Sequence, residues 1–379
     1  MSHRNAASQL SAPSPQSVCF GETRSIRQKD YHWTPPSSNG DVVAYCPQLR
    51  RRMEMKRRDF VAMIIGGVTA SPLIARAEQG KNIPRVGYID PETRSSGIQG
   101  LLAGLDELGY VDGRNIKLIK RQFAAPTVAD MRAAILAIIR DVDILVVSGT
   151  VGGVAAKSVT SEVPVVFISV GAPVDIGLVK SLAKPGGNMT GIAFEAAEET
   201  YAKRLQLLTE IVSGVSHVAI LGAAGDPNFV FAMASLKRSA PGLGVSITPF
   251  EIKTADDLGQ AFDEMKRAQV QAVLVVAGYL TYSSIKKTAD LALSYHLPSC
   301  HGFKEAVPAG GLISLGPDLI SLGRQGSRLV DKIIRGERPA DIPVEQPDRY
   351  VMSINLKTAR LLGITVPPAL LAGADEVIE

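Results

Sequence analysis

Asp143-Ile144-Leu145-Val146-Val147-Ser148-Gly149 and the run that follows it, Val163-Pro164-Val165-Val166-Phe167-Ile168-Ser169-Val170, decide the fold. Each is apolar throughout over strand length and then breaks abruptly into Ser and Gly. An alternating strand buries one face; a continuously apolar one must be covered on both, as in a parallel sheet clad in helices. A short helix from Val151 supplies the crossover. Toward the N-terminus, Arg85–Asp90 reads as a strand and Gly97–Leu108 as a helix with Leu101, Leu102, Leu105 and Leu108 on one face. Gly109-Tyr110-Val111-Asp112-Gly113 stops that helix, Asn115–Phe123 is a strand and Val128–Arg140 a helix. The cadence then recurs. His217–Gly222, Val245–Ile252 and Gln271–Gly278 read as strands, separated by helices over Asn228–Ser239, Ala255–Ala268 and Ser283–Tyr295. Seeing the unit twice predicts an α/β fold of two similar lobes with parallel sheets.

The connection between lobes is expected around Met189–Phe194, before a helix over Glu198–Ile211, with a return near Gly310–Ser314. A long helix (Ile320–Arg335), a Pro-rich stretch (Arg338–Pro347), a strand (Tyr350–Asn355), a helix (Leu356–Leu362) and a Pro367-Pro368 tail complete the chain. These boundaries give one lobe of 78–195 plus 314–336 and a second of 196–313 plus 337–379. Several short crossings would act as a hinge.

Upstream, Met55-Lys56-Arg57-Arg58-Asp59-Phe60 leads into a weakly apolar run, Val61–Ala75, and then Ala75-Arg76-Ala77. That order of basic segment, apolar segment and small-x-small site is an export signal, and the paired arginines favour the twin-arginine route. The run is too short to span a bilayer, which takes roughly 20 apolar residues. Residues 55–77 are therefore read as a signal peptide and 1–54 as a disordered or mis-annotated extension, with translation starting at Met55 or Met53. Of the 41 Lys/Arg and 37 Asp/Glu, residues 1–77 hold 11 and 5, leaving 30 against 32. With no basic stripe, nucleic acid is excluded as a partner. Cys19 and Cys46 lie upstream of the signal, so Cys300 stands alone and no intrachain disulfide can form. A periplasmic protein not inserted in the membrane after signal removal is expected.

Ligands of open parallel sheets bind outside the carboxyl ends of the strands. Those ends carry Asp90 and Thr93; Ser148, Gly149 and Thr150; Ser169, Val170 and Gly171; Asp226; Tyr279; and His301 with Phe303. Small hydroxyl residues and glycine at a helix N-terminus suit a carboxylate or phosphate, because free N–H groups and the helix dipole favour an anion there. Each hydroxyl taken alone reads first as an ordinary helix cap; their recurrence on both lobes, facing one cleft, favours a ligand site. Ser148–Thr150 with Ser169–Gly171 are the expected anion cradle, Asp226 and Tyr279 the contacts made on closure, and Tyr279 or Phe303 an apolar wall. Gly149-Thr150-Val151-Gly152-Gly153 matches neither a dinucleotide nor a phosphate-loop fingerprint, and no nucleophile elbow or zinc motif occurs. No catalytic set, metal or cofactor is expected.

From Met55 to Glu379 the chain resembles the bacterial ABC transporter substrate-binding protein family that includes tryptophan/tyrosine-uptake proteins. The matching segments include Leu108-Gly109-Tyr110-Val111-Asp112-Gly113-Arg114-Asn115-Ile116, Leu182-Ala183-Lys184-Pro185-Gly186-Gly187-Asn188-Met189-Thr190-Gly191 and Gly336-Glu337-Arg338-Pro339-Ala340-Asp341-Ile342-Pro343-Val344. The resemblance implies a type I periplasmic-binding fold, two Rossmann-like lobes with three crossovers and a small polar or zwitterionic solute, such as an amino acid, in the cleft. It also implies delivery to a membrane permease driven by a separate ATPase subunit. Relatives commonly carry Met-Ser-Tyr-Gly where this chain has Ile313-Ser314-Leu315-Gly316, a lost aromatic that argues against an aromatic amino acid. The same lobes would also serve as a ligand-sensing module for a chemoreceptor or sensor kinase.

Overall fold

Strand-length runs of Val, Ile and Leu bounded by turn residues form two sheets, and the helices between them cover both faces. The computed structural model describes residues 83–90, 95–123, 127–195 and 199–379, Asp90 by its backbone only. The expected signal segment and Thr93 lie outside the described residues. Strands β1 (Arg85–Asp90), β2 (Lys117–Gln122), β3 (Ile144–Ser148), β4 (Val165–Gly171) and β5 (Met189–Glu195) form a parallel sheet in the order β2-β1-β3-β4-β5. Its helices are α1 (Ser96–Glu107), α2 (Val128–Leu136) and α3 (Gly149–Val159). Alternate residues of one strand feed opposite cores: Ile144 and Val146 face one, Leu145 and Val147 the other.

The second lobe contains α4 (Glu199–Ile211), β6 (His217–Ala223), α5 (Pro227–Ser239), β7 (Ser246–Ile252), α6 (Leu258–Arg267), β8 (Ala272–Val275), α7 (Tyr279–Ser283), α8 (Ile285–Ser294) and β9 (Ser299–His301). It continues with β10 (Ile313–Pro317), then, beyond α9 (Leu319–Ile334), with β11 (Tyr350–Asn355), α10 (Leu356–Leu361), α11 (Pro368–Gly373) and β12 (Glu376–Ile378). The sheet order is β12-β11-β10-β9-β8-β6-β7. All neighbours are parallel except β10 and β11, which run antiparallel. The two-lobed α/β architecture is as expected from the sequence.

The crossings fall elsewhere than expected. Met189–Glu195 is not a connector but a fully buried strand of the first sheet, and the chain crosses after it. Ile313–Pro317 pairs within the second sheet, so the return lies beyond Pro317 and not near Gly310–Ser314. Residues 338–345 stay on the first lobe: the Thr190 hydroxyl donates to Ile342 O at 2.8 Å, and Ala193 N donates to Glu345 O at 2.9 Å. The last crossing therefore follows Glu345 instead of Gly336. A Pro-rich stretch without its own periodicity borrowed its order from the edge of β5. The Pro367-Pro368 tail begins α11, with proline in its tolerated position in the first turn.

Helix α9 belongs to the first lobe although its sequence follows the second. It packs on α1 through glycines that let the two backbones approach. A Cβ on Gly100 would overlap the Ile320 carbonyl, and one on Gly323 would overlap the Gly97 carbonyl. Each helix is started by a side-chain cap: Ser95 accepts from Ile98 N at 3.4 Å, and Asp318 accepts from Ser321 N at 2.9 Å. The platform that carries the N-terminal end of α1 to the cleft is thus fixed by backbone proximity. Replacing Gly323 by Ala forces carbonyl and methyl into one space, so Gly323→Ala should destabilise the protein by about 1–3 kcal/mol, read as a lowered urea midpoint.

Candidate ligand-binding site

Both lobes present the carboxyl ends of their central strands to one cleft, which encloses a cavity of about 350 Å³. In each sheet these ends flank the point where strand order reverses, β1/β3 in the first lobe and β6/β8 in the second. From the first lobe come Ile89 near the end of β1, Ser148 at the end of β3 with Gly149 and Thr150 after it, and Ser169 with Gly171 at the end of β4. From the second come Asp226 and Asn228 after β6, Ala277, Gly278 and Tyr279 after β8, and Phe303 after β9.

On the first-lobe side, Ser148 occupies the N-cap of α3 without a side-chain cap bond. The first-turn N–H groups of a helix have no intrahelical acceptor, so they and the Ser148 hydroxyl are available to an anion. Gly149 sits at φ 76°, a left-handed conformation that favours glycine. Ser169 is also left-handed, at φ 63°, beside a register irregularity between β4 and β5. This strained backbone turns Ser169 toward the cavity and sends Val170 into the core. Thr150 ties the two strand ends together, its Oγ1 accepting from Gly171 N at 3.1 Å. Its hydroxyl proton remains for a ligand.

The second-lobe side is acidic. Asp226 caps α5, with Oδ1 accepting from Asn228 N at 2.9 Å. Its other oxygen lies beside Gly278, where a Cβ would come within 2.7 Å of it. Asn228 donates to Ala277 O at 2.7 Å, while its buried Oδ1 has no partner among the described residues. A Cβ on Gly171 would overlap that Oδ1. Two glycines thus leave room for two acceptor oxygens. Asp226 is the one charged side chain lining the cavity among the described residues, and none there is basic. The walls between the two poles are aromatic: Phe123, Phe194, Tyr279, Tyr282 and Phe303, with rings 4.9–5.2 Å apart where they pair.

Eight residues named from the sequence line the cavity: Ser148, Gly149, Thr150, Ser169, Gly171, Asp226, Tyr279 and Phe303. Val170 does not, because the turn at Ser169 points it inward. His301 does not either; it sits in a central strand, 2 % exposed, with burial pushing its imidazole down to about 4. The Asp90 side chain and Thr93 lie outside the described residues. Cys300 is buried in the same strand as His301, its thiol pushed up to about 12. Leu315 packs against the second-lobe core and is not among the residues that line the cavity. The sequence reading missed Asn228, Phe123, Phe194 and Tyr282. The signal for Asn228 was the Asp226-Pro227-Asn228 start of α5; the aromatics read as ordinary core residues.

Two α/β lobes around a cavity polarised in this way define a small-ligand-binding protein. Residues 82–378 match the family described as ABC transporter substrate binding protein, and the chain belongs to that family. It is 24% identical over 327 residues to the tyrosine-binding protein of Clostridioides difficile (strain R20291), covering 81% of this chain and 93% of that one. The fold is shared with a conserved domain protein from Vibrio cholerae O1 biovar El Tor: TM-score 0.73, 26% identity, 78% of this chain and 100% of that one. An ABC domain from Streptococcus pneumoniae solved in complex with L-Trp gives TM-score 0.73 and 24% identity over the same shares, 78% and 100%.

Desolvation dominates the chemistry of Asp226. Burial raises its carboxyl from the ordinary 3.8 to about 6, only partly offset by the hydrogen bond from Asn228 N. The folded state then holds this proton more tightly than the unfolded chain does. Its contribution to stability is therefore full below the ordinary value, declines as pH rises toward about 6, and is flat above. A cation bound to the carboxylate reverses that preference. Affinity for an ammonium-bearing ligand should thus fall as pH drops below about 6, measured by calorimetry. Asp226→Asn, which still caps α5, should remove that slope and weaken binding at neutral pH by about 2–5 kcal/mol.

Proposed function

We propose that this protein is the extracytoplasmic receptor of an ABC importer and captures an amino acid with an aromatic or large apolar side chain. The observation that carries the reading is the polarity of the cavity. Asp226 and the unpartnered Asn228 Oδ1 suit an ammonium group; the start of α3 with Ser148, Thr150 and Ser169 suits a carboxylate; the aromatic rings between suit an apolar side chain. A cavity of about 350 Å³ is in the range of small-ligand sites. The tyrosine-binding relative and the L-Trp complex support the same class of solute. The family match supports a receptor that closes on the solute and passes it unchanged to a membrane permease whose ATPase is a separate subunit.

Export through the twin-arginine route, with cleavage ahead of Glu78, would place the receptor in the periplasm, in keeping with Arg57-Arg58, the apolar run and Ala75-Arg76-Ala77. No helix among the described residues is long and apolar enough to cross a membrane.

Thermal-shift measurements with matched analogues test the site. L-tryptophan or L-tyrosine at 100 times its dissociation constant should add about 2.7 kcal/mol of stability. Tryptamine, which lacks the carboxylate, and indole-3-propionate, which lacks the ammonium, should bind far more weakly. Equal binding of all three would refute the zwitterion reading. For export, replacing Arg57 and Arg58 by Lys should retain the protein in the cytoplasm; unchanged export would exclude the twin-arginine route.

A further inference from the structure

Tyr279 and Tyr282 lie three residues apart on α7 of the second lobe, and each reaches a different face of the first. The Tyr282 hydroxyl is hydrogen-bonded to that of Ser96, at the start of α1, at 3.0 Å. Its ring packs against the core under α1 and α9 and meets Phe303 edge-on, with centroids 4.9 Å apart at 73°. Tyr279 packs against the core on the opposite face of the same sheet and meets Phe123, just past β2, with centroids 5.1 Å apart at 71°. Helix α7 therefore straddles the carboxyl edge of the first sheet. Ser95 and Gly97 line the cavity but Ser96 does not.

We propose that α7 is a clasp: the Tyr282–Ser96 and Tyr279–Phe123 contacts hold the lobes together directly and set how long the solute is retained. The inference rests on the reading of the cleft as a solute site. These contacts join one lobe to the other and so exist only when the cleft is closed. Anything that favours the closed state alone raises the closed population with or without solute, and slows release from it. Ser96 and Phe123 are positioning residues here, acting through α7. Ser96 sits on the glycine-packed α1–α9 platform, so the hydroxyl it offers is fixed in place.

The hydroxyl pair can be cut from either side without touching the apolar packing. Ser96→Ala and Tyr282→Phe in the full chain should each lower the closed-to-open ratio about 2- to 10-fold. With radiolabelled L-tryptophan as probe, each should speed dissociation by that factor, and Ser96→Ala, which lies outside the cavity lining, should leave association unchanged. The double variant should be no faster than the singles, because one bond is lost in all three. In ligand-free scattering each variant should have a larger radius of gyration than the parent protein. Independent, multiplicative effects on dissociation, or an unchanged radius in ligand-free variants, would overturn the clasp. If L-tryptophan fails to bind, the solute assignment falls while the ligand-free radius still decides the clasp.

Discussion

Glu195 and Arg204 form an ion pair with no solvent exposure of either side chain, and the crossings between the lobes are tied to it. Glu195 closes the last strand of the first sheet, where the chain first leaves that lobe. Arg204, on α4, also donates from Nε to Leu315 O at 2.7 Å, on the strand that precedes the second crossing. Tyr350, at the end of the third, donates to Phe194 O at 2.9 Å, one residue before Glu195. Taking two charges out of water is costly, and a buried pair repays it only with good geometry and further hydrogen bonds. Removing one partner would leave the other charge uncompensated, at about 3–5 kcal/mol. The pair therefore acts as a pin: it fixes where the crossings meet while the lobes are otherwise joined through few segments.

The pin also conditions the cavity. The Arg204 guanidinium lies 5.3 Å from the Tyr201 ring and 5.9 Å from that of Phe194, and Phe194 lines the cavity. The Glu195 charge lies near enough to Asp226 to add to the burial that raises its carboxyl. Glu195 and Arg204 pair through one oxygen and one nitrogen and line no part of the cavity, so neither charge is offered to a ligand, although Glu195 Oε2 and Arg204 Nη2 have no partner among the described residues. Among the described residues Asp226 is left as the charge in the cleft, in a setting of low polarity where a complementary ammonium gains most. At the other pole the opposite sign comes without a side-chain charge, from the helix start at Gly149 and the hydroxyls around it.

Much of this was legible in the sequence, and the parts that were not share a physical reason. Continuous apolar runs such as Leu145–Val147 and Ala219–Leu221 force two-sided burial, so the lobes and the strand ends followed directly. Ser148, Thr150, Ser169 and Asp226 were placed at the cleft because a parallel sheet has one functional edge. Val170 and His301 were misplaced by one structural fact each. A left-handed turn at Ser169 cannot be read from Ile168-Ser169-Val170, and the central position of β9 depends on pairing with β8 and β10. The crossings were missed because 338–345 takes its order from an edge 152 residues upstream in the chain, a non-local contact with no periodicity to announce it. Phe194 and Tyr282 share the composition of core residues; only the meeting of the two lobes makes them walls.

A crystal structure of the complex with an aromatic amino acid tests the central claim most directly. The account predicts the ammonium within about 3 Å of Asp226 and Asn228 Oδ1, the carboxylate against the start of α3 at Gly149 and Thr150, and the ring between Tyr279 and Phe303. A ligand bound with its carboxylate toward Asp226, or seated outside this cleft, would contradict it.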